Sequence, residues 1–146
     1  MYWVGALHGG GISLNSPGDT PTSKGFIFYM RLIVAGTRTF RDYILLRDKL
    51  DLFLSHSKDR ITIFSGNAPG ADALGEQYAK QNNYNLKIFK ANWKTLGKRA
   101  GFVRNEEMAK EATHCVVFWD GKSKGSEHMI NLAKQYQLHL RIIRYK

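Results

Sequence analysis

Three short runs hold the residues best suited to chemistry in this chain. "SGNAPGAD" (65–72) follows an Ile/Phe-rich stretch and leads into a helix-like one. Ser65, Gly66 and Gly70 bracket a turn there, and Ala68, Gly70 and Ala71 remove side chains that would hold a ligand off the backbone. A helix that begins just after such a turn aims its first amides, and the positive end of its dipole, at an anion. "AGTRTFRD" (35–42) offers Gly36 for a close turn, the Thr37 hydroxyl, and the forked Arg38 guanidinium, a shape that suits phosphate or carboxylate. "WDGKSKGS" (119–126) is a second turn of the first kind, with Gly121, Ser123, Gly125 and Ser126 ahead of a helix-like segment and Lys122 and Lys124 beside it. Trp119 could stack on a base, although a strand-end Trp more often packs on the core or its rim.

Neither glycine run is a familiar phosphate loop. The position five after Gly66 is Ala71 with no Lys-Ser/Thr behind it, and GxGxxG is not present in the run. A fourth segment, "GKRAGFVRNEEMA" (97–109), adds Lys98, Arg99, Arg104 and Asn105. Asp72 is the awkward member of the set. It is either an ordinary first-turn acid interacting with its helix dipole or a group that faces a ribose hydroxyl or holds a neighbouring Arg or Lys. The catalytic residues are unknown at this level, and the carboxylates that could serve are Asp72, Glu76 and Asp120. His8, His56, His114, His128 and His139 are scattered without ligand spacing, so no metal and no dedicated cofactor is expected.

These runs must be positioned by regular elements, and the pattern of apolar residues supplies them. "RLIVAG" (31–36), "ITIFS" (61–65), "LKIFKA" (86–91), "HCVVFW" (114–119) and "HLRIIRY" (139–145) read as strands rich in Ile, Val and Phe. Between them "DYILLRDKLDLFLSH", "ADALGEQYAKQ", "AGFVRNEEMAKEA" and "SEHMINLAKQY" read as helices, with Asp42 placed to cap the first. Strands alternating with helices imply parallel pairing through helical crossovers, hence an α/β, Rossmann-like three-layer sandwich. The expected sheet is five-stranded and mainly parallel, in the order 3-2-1-4-5. Ligands of such sheets bind beyond the carboxyl ends of the strands where the order reverses, which is where the loops after the first, second and fourth strands meet.

Residues 1–29 differ from the rest. The first 25 hold six glycines and two prolines without strand or helix periodicity. They read as a flexible or extraneous leader, with a domain over 30–146 and a natural start expected at Met30. The net charge of +10 lies outside this leader, whose charged residues are Asp19 and Lys24. Such a balance favours anionic partners: a small nucleotide-like ligand first, nucleic acid less so. A single cysteine, Cys115, and no apolar run of membrane-spanning length point to a cytoplasmic protein with no membrane partner. A homo-oligomer is left open.

"GTRTF", "SGNAPGADALGEQYA", "NWKTLGKRAGFVRNEEMA" and "VVFWDGKSKGSEHMI" together resemble, in order and spacing, the YspA-like, cpYpsA-related branch of the SLOG (SMF/DprA-LOG) superfamily of Rossmann-like domains. Thr37 stands where members usually carry Ser, Asn67 where they usually carry Gly, and Ser126 where they usually carry Thr. If the Asn67 position needs positive φ, Asn is the residue that best tolerates it after Gly. The resemblance implies binding of a nucleotide or nucleotide-derived ligand, such as an ADP-ribose-like molecule, as a sensor or a nucleotide-processing component. Gly36, Thr37, Arg38, Ser65, Gly66, Asn67, Ala68, Gly70, Asp72, Arg104 and Asn105 are then expected around the ligand, with Trp119, Gly121, Ser123, Gly125 and Ser126 from the last loop. A second reading is a phosphoribohydrolase or other N-glycosidic hydrolase acting on a nucleotide. Related LOG enzymes, however, place a Glu where this chain has Met129. A third is binding of single-stranded nucleic acid.

Overall fold

The computed structural model describes residues 20–146 except 23, 24, 56 and 58. Its centre is β3 (Tyr29–Gly36), which pairs in parallel with β4 (Arg60–Ser65) on one side and β6 (His114–Trp119) on the other. Outside these lie β5 (Asn85–Ile88) and β7 (His139–Arg144), also parallel, giving the order β5-β4-β3-β6-β7. Counting these strands along the chain, this is the expected 3-2-1-4-5, and its reversal falls between β3 and β6.

Strand alternation sends successive side chains of β3 to opposite faces. Leu32 and Val34 join Ile63, Val116 and Phe118 under α1 (Tyr43–Leu54) and α2 (Ala71–Gln81), where Leu46, Leu50 and Tyr78 are buried. Ile33 and Ala35 join Phe64, Cys115 and Val117 under α4 (Ala100–Glu111) and α5 (Lys124–Gln135), meeting Met108, Met129 and Ala133. Two apolar layers on one sheet make the three-layer sandwich. Among the described residues no helix is long and apolar enough to cross a membrane.

Local signals set most boundaries. Asp42 caps α1 by accepting the Leu45 amide at 3.0 Å. Two details differ from the sequence reading. The expected strand 86–91 stops at Ile88, because Phe89 turns out of the ladder after its amide bonds the Ser65 carbonyl at 2.8 Å. A short helix α3 (Trp93–Leu96), capped by Asn92, and a 3-10 turn at Gly97–Arg99 fill the link to α4, too brief to register as periodicity. Most of the leader expected over 1–29, residues 1–19, lies outside the described residues. Its later part contains β1 (Thr20–Thr22) and β2 (Gly25–Ile27), an antiparallel pair. Three-residue strands are too short to show in the sequence as alternation.

Gly70 is hard to replace. Its φ of 80° is a conformation that side chains resist, and a Cβ there would sit 2.4 Å from the backbone oxygens of both Thr37 and Arg38. Gly70→Ala is expected to cost about 2–4 kcal/mol of stability, read by denaturant unfolding. A loss under about 0.5 kcal/mol would mean that the loops do not pack this closely.

Candidate functional site

Thr37 is buried at the tip of β3 and connects three loops. Its amide donates to the Phe118 carbonyl at 2.9 Å, and its carbonyl accepts from Phe40 at 3.1 Å and Ala71 at 3.3 Å. Its hydroxyl accepts the Asp120 amide at 3.1 Å. The residue read as a ligand donor thus ties β3, β6 and the start of α2 to one another. Phe40, stacked on Phe118 with centroids 5.1 Å apart, anchors the same loop from below.

The loop after β4 is held from inside. Ser65 is fully buried; its hydroxyl donates to Glu76 Oε2 at 2.6 Å and accepts the Asn67 amide at 3.0 Å. Asn67 has φ 62°, so it occupies the left-handed region that its place in the loop requires. Gly66 is wedged between two functional side chains, since a Cβ there would lie 2.8 Å from Asp72 Oδ2 and 3.0 Å from the Arg104 guanidinium. Arg104 donates through Nη1 to the Gly66 carbonyl at 2.6 Å, and through Nε to Asn105 Oδ1 at 3.2 Å. Asp72 Oδ2 accepts the Ala68 amide at 3.2 Å. Burial pushes the Asp72 carboxyl up to about 6, against the pull of the Ala68 amide and of Arg104. Burial likewise lowers the Arg104 guanidinium from its usual value, with Asp72 opposing.

In the loop after β6, Asp120 Oδ1 accepts the amides of Lys122 at 2.8 Å and Ser123 at 2.9 Å. Those two bonds hold its carboxyl below the ordinary range. Ser123 caps α5, accepting the Ser126 amide at 3.4 Å and the Ser126 hydroxyl at 3.1 Å. Asn105, buried on α4, reaches across to the Gly125 carbonyl at 3.5 Å and to His128 Nδ1 at 3.3 Å, so α4 braces the start of α5.

Between these loops lies a cleft of about 230 Å³. Of the residues expected around a ligand, Gly36, Arg38, Ala68, Asp72, Arg104, Asn105, Ser123, Gly125 and Ser126 line it. Thr37, Ser65, Gly66 and Gly70 are buried and not on its wall, and Asn67 is exposed on the loop, also off the wall. Trp119 and Gly121 are not on its wall: the Trp119 indole donates to the Ser123 carbonyl at 3.1 Å, and the Arg144 guanidinium lies 5.4 Å from its ring and close against Gly121. Of the three carboxylates considered for chemistry, Asp72 lines the cleft. Glu76 is bound to Ser65, and Asp120 locks its own turn.

The sequence reading missed several wall residues. Ala35, Met108 and Met129 provide apolar floor, and Trp93 and Phe102, both about half exposed, stand at the cleft with Lys98 and Gly101. Arg38, Lys98 and Arg104 thus line the cleft together with Asp72, and Arg104 and Arg38 act on that carboxyl. Among the described residues no three His, Cys, Asp or Glu side chains gather as a metal site would require.

The raised Asp72 carboxyl makes stability depend on pH. Between about 3.9, the unfolded value, and about 6, the folded chain holds a proton that the unfolded chain releases, so the stability from this group is lost as pH rises through that window. A rise from about 3.9 to about 6 corresponds to about 3 kcal/mol. Asp72→Asn is therefore expected to gain on the native chain by about that amount from roughly pH 4 to pH 7 in denaturant titrations. A stability difference flat across that range would show that Asp72 titrates normally.

Comparison with known proteins agrees with this architecture. The family model described as "YspA, cpYpsA-related SLOG family" (YAcAr) matches residues 30–95. The gene 61 protein of Mycobacterium phage D29 is 31% identical over 111 residues, covering 72% of this chain and 89% of that protein. No solved structure matches. With its ordered loop motifs, its 3-2-1-4-5 parallel sheet and these matches, the chain belongs to the YspA, cpYpsA-related SLOG family.

Proposed function

We propose that the cleft binds the phosphate or pyrophosphate of a nucleotide-derived ligand, such as ADP-ribose, and that the protein acts as a sensor or a nucleotide-processing component. One observation carries this reading: the starts of α2 and α5 open on the same cleft, together with Arg38, Lys98 and Arg104. Helix starts attract anions through their first amides and the dipole, and arginine adds paired donors in a fixed plane. Gly125 leaves room for this, since a Cβ built on it meets nothing within 4 Å. Membership of the SLOG family supports a nucleotide-related ligand.

Asp72 gives the cleft a pH dependence. Ionised, it opposes an anion placed between the arginines; protonated, it can donate a hydrogen bond to it. With its carboxyl at about 6, the ligand is expected to bind more tightly at about pH 5 than at about pH 7.5.

A second reading, hydrolysis of an N-glycosidic bond, draws on the same group, because a carboxyl at about 6 in a cleft is poised for general acid–base work. Against it, Met129, at the position of the LOG Glu, is buried and brings no acid or base to the wall. Release of free base from a nucleoside monophosphate, abolished in Asp72→Asn, would favour the hydrolase.

Calorimetry with ADP-ribose tests the main reading, because its pyrophosphate has no group titrating between about pH 5 and pH 8 and any pH trend belongs to the protein. Arg38 is exposed and takes no part in the core, so Arg38→Ala is expected to fold normally and weaken binding about tenfold or more. Absence of binding to the native chain at millimolar ligand defeats the proposal. Tighter binding of oligonucleotides, falling steeply with salt, would mark the edge as a nucleic-acid surface instead.

A further inference from the structure

We propose that Trp93 and Phe102 form a nucleobase platform at the cleft, so that the site selects base-bearing ligands over plain sugar phosphates. The inference rests on the phosphate-binding reading above and names the part of the ligand that reading leaves open.

Among the described residues, four large apolar side chains are about half exposed or more: Ile44 (61%), Leu52 (50%), Trp93 (50%) and Phe102 (48%). Ile44 and Leu52 lie on α1, away from the cleft, whereas the two aromatic ones line it. Single exposed aliphatic residues are common on surfaces; two aromatic rings at one cleft are a stacking surface in need of a partner. Both rings are braced. A Cβ added at Gly101 would lie 3.4 Å from Trp93 Cη2, an ordinary contact distance, so the indole stands against the first turn of α4. The Phe102 ring stands edge-on to the His128 ring of α5, with centroids 4.4 Å apart and planes at 64°. Rings fixed in this way lose little freedom when a flat base settles on them.

The charge around the rings fits the same ligand. From Lys87 to Asn105 the chain carries Lys87, Lys90, Lys94, Lys98, Arg99 and Arg104 without one acidic residue. Of these, Lys98 and Arg104 line the same cleft as the rings. Base–aromatic stacking beside a phosphate-binding cation is the pairing that recognises a nucleotide and ignores an isolated anion or an isolated apolar group.

The proposal is tested by calorimetry on the full chain, Trp93→Ala, Phe102→Ala and Trp93→Phe, each with AMP, ADP-ribose and ribose 5-phosphate. The native chain should bind the two base-bearing ligands at least about tenfold more tightly than ribose 5-phosphate. Each alanine variant should lose about tenfold on AMP and ADP-ribose while ribose 5-phosphate is unchanged, and Trp93→Phe should retain most of the affinity. Base-bearing ligands that bind no better than ribose 5-phosphate, or alanine variants that lose all three ligands alike, would overturn the platform while leaving phosphate binding standing. If none of the three binds the native chain, the phosphate reading fails, and the platform fails with it. Unchanged circular dichroism and melting of the variants would assign any loss to the rings.

Discussion

A buried threonine holds the functional edge together. Parallel pairing of β3 with both β4 and β6 brings three strand ends side by side, but strand ends alone do not make a cleft. Thr37 spends its amide on β6, its carbonyl on the start of α2 and its hydroxyl on the loop after β6. Because Thr37 is buried, each of these bonds replaces one that water can no longer supply, and losing any would leave an unsatisfied polar group. Gly36 and Gly70 follow from the same contact. The backbones approach so closely that a Cβ at Gly36 would lie 2.2 Å from the Phe118 carbonyl oxygen, and one at Gly70 equally near the Thr37 oxygen. The glycines that resemble a phosphate loop in the sequence therefore serve packing first, and the space in front of the helices is what that packing leaves.

The electrostatics of the cleft are unbalanced in a way that a purely structural loop has no use for. Arg104 is half-buried, and its protein partners are a carbonyl and an amide oxygen, beside the Asp72 carboxyl that burial raises to about 6. Burying a guanidinium and a carboxyl beside each other gains little when desolvation offsets their attraction. The arrangement makes more sense as a site awaiting a charge of its own. An anion would compensate Arg38 and Arg104, and a proton on Asp72 would compensate the anion. If the cleft holds an anion as proposed, this carboxyl would set the pH at which binding is strongest.

Most of the fold was legible in the sequence because it is local: Ile/Val/Phe runs of strand length, helical stripes between them, and Asp42 ahead of the first helix. The need for crossovers accounts for the parallel pairing, while the order 3-2-1-4-5 belongs to the Rossmann-like arrangement and does not follow from crossovers alone. What escaped was orientation. Trp119, Asp120 and Gly121 belong to the right loop, but a sequence does not say which way turn residues face, and here they fold back onto Ser123 and Arg144. Trp93 was hidden in a four-residue helix too short to show a face. For Phe102 a signal did exist. The buried stripe of α4 runs through Ala100, Asn105, Met108 and Ala109, so an amide sits on the inner face while a phenyl ring stands half exposed. A helix that puts its polar residue inside and an aromatic one outside is reporting a site, since packing alone would choose the reverse.

The inner end of the cleft bears on what kind of site this is. Its floor is Ala35, Met108 and Met129, all buried and apolar, and the thioether of Met129 occupies the turn of α5 where a catalytic carboxylate would reach the ligand. Among the described residues Asp72 is the one acid on the cleft wall, its Oδ2 already engaged by the Ala68 amide. Cleaving a glycosidic bond to water asks for a group that handles the attacking water and for stabilisation of the charge developing on the sugar. A single carboxyl, engaged by an amide above an apolar floor, supports the proposed binding role over hydrolysis. Asn105 ties α4 to the start of α5, so a ligand at the proposed site beside Gly125 would lie against the residues that join those two helices.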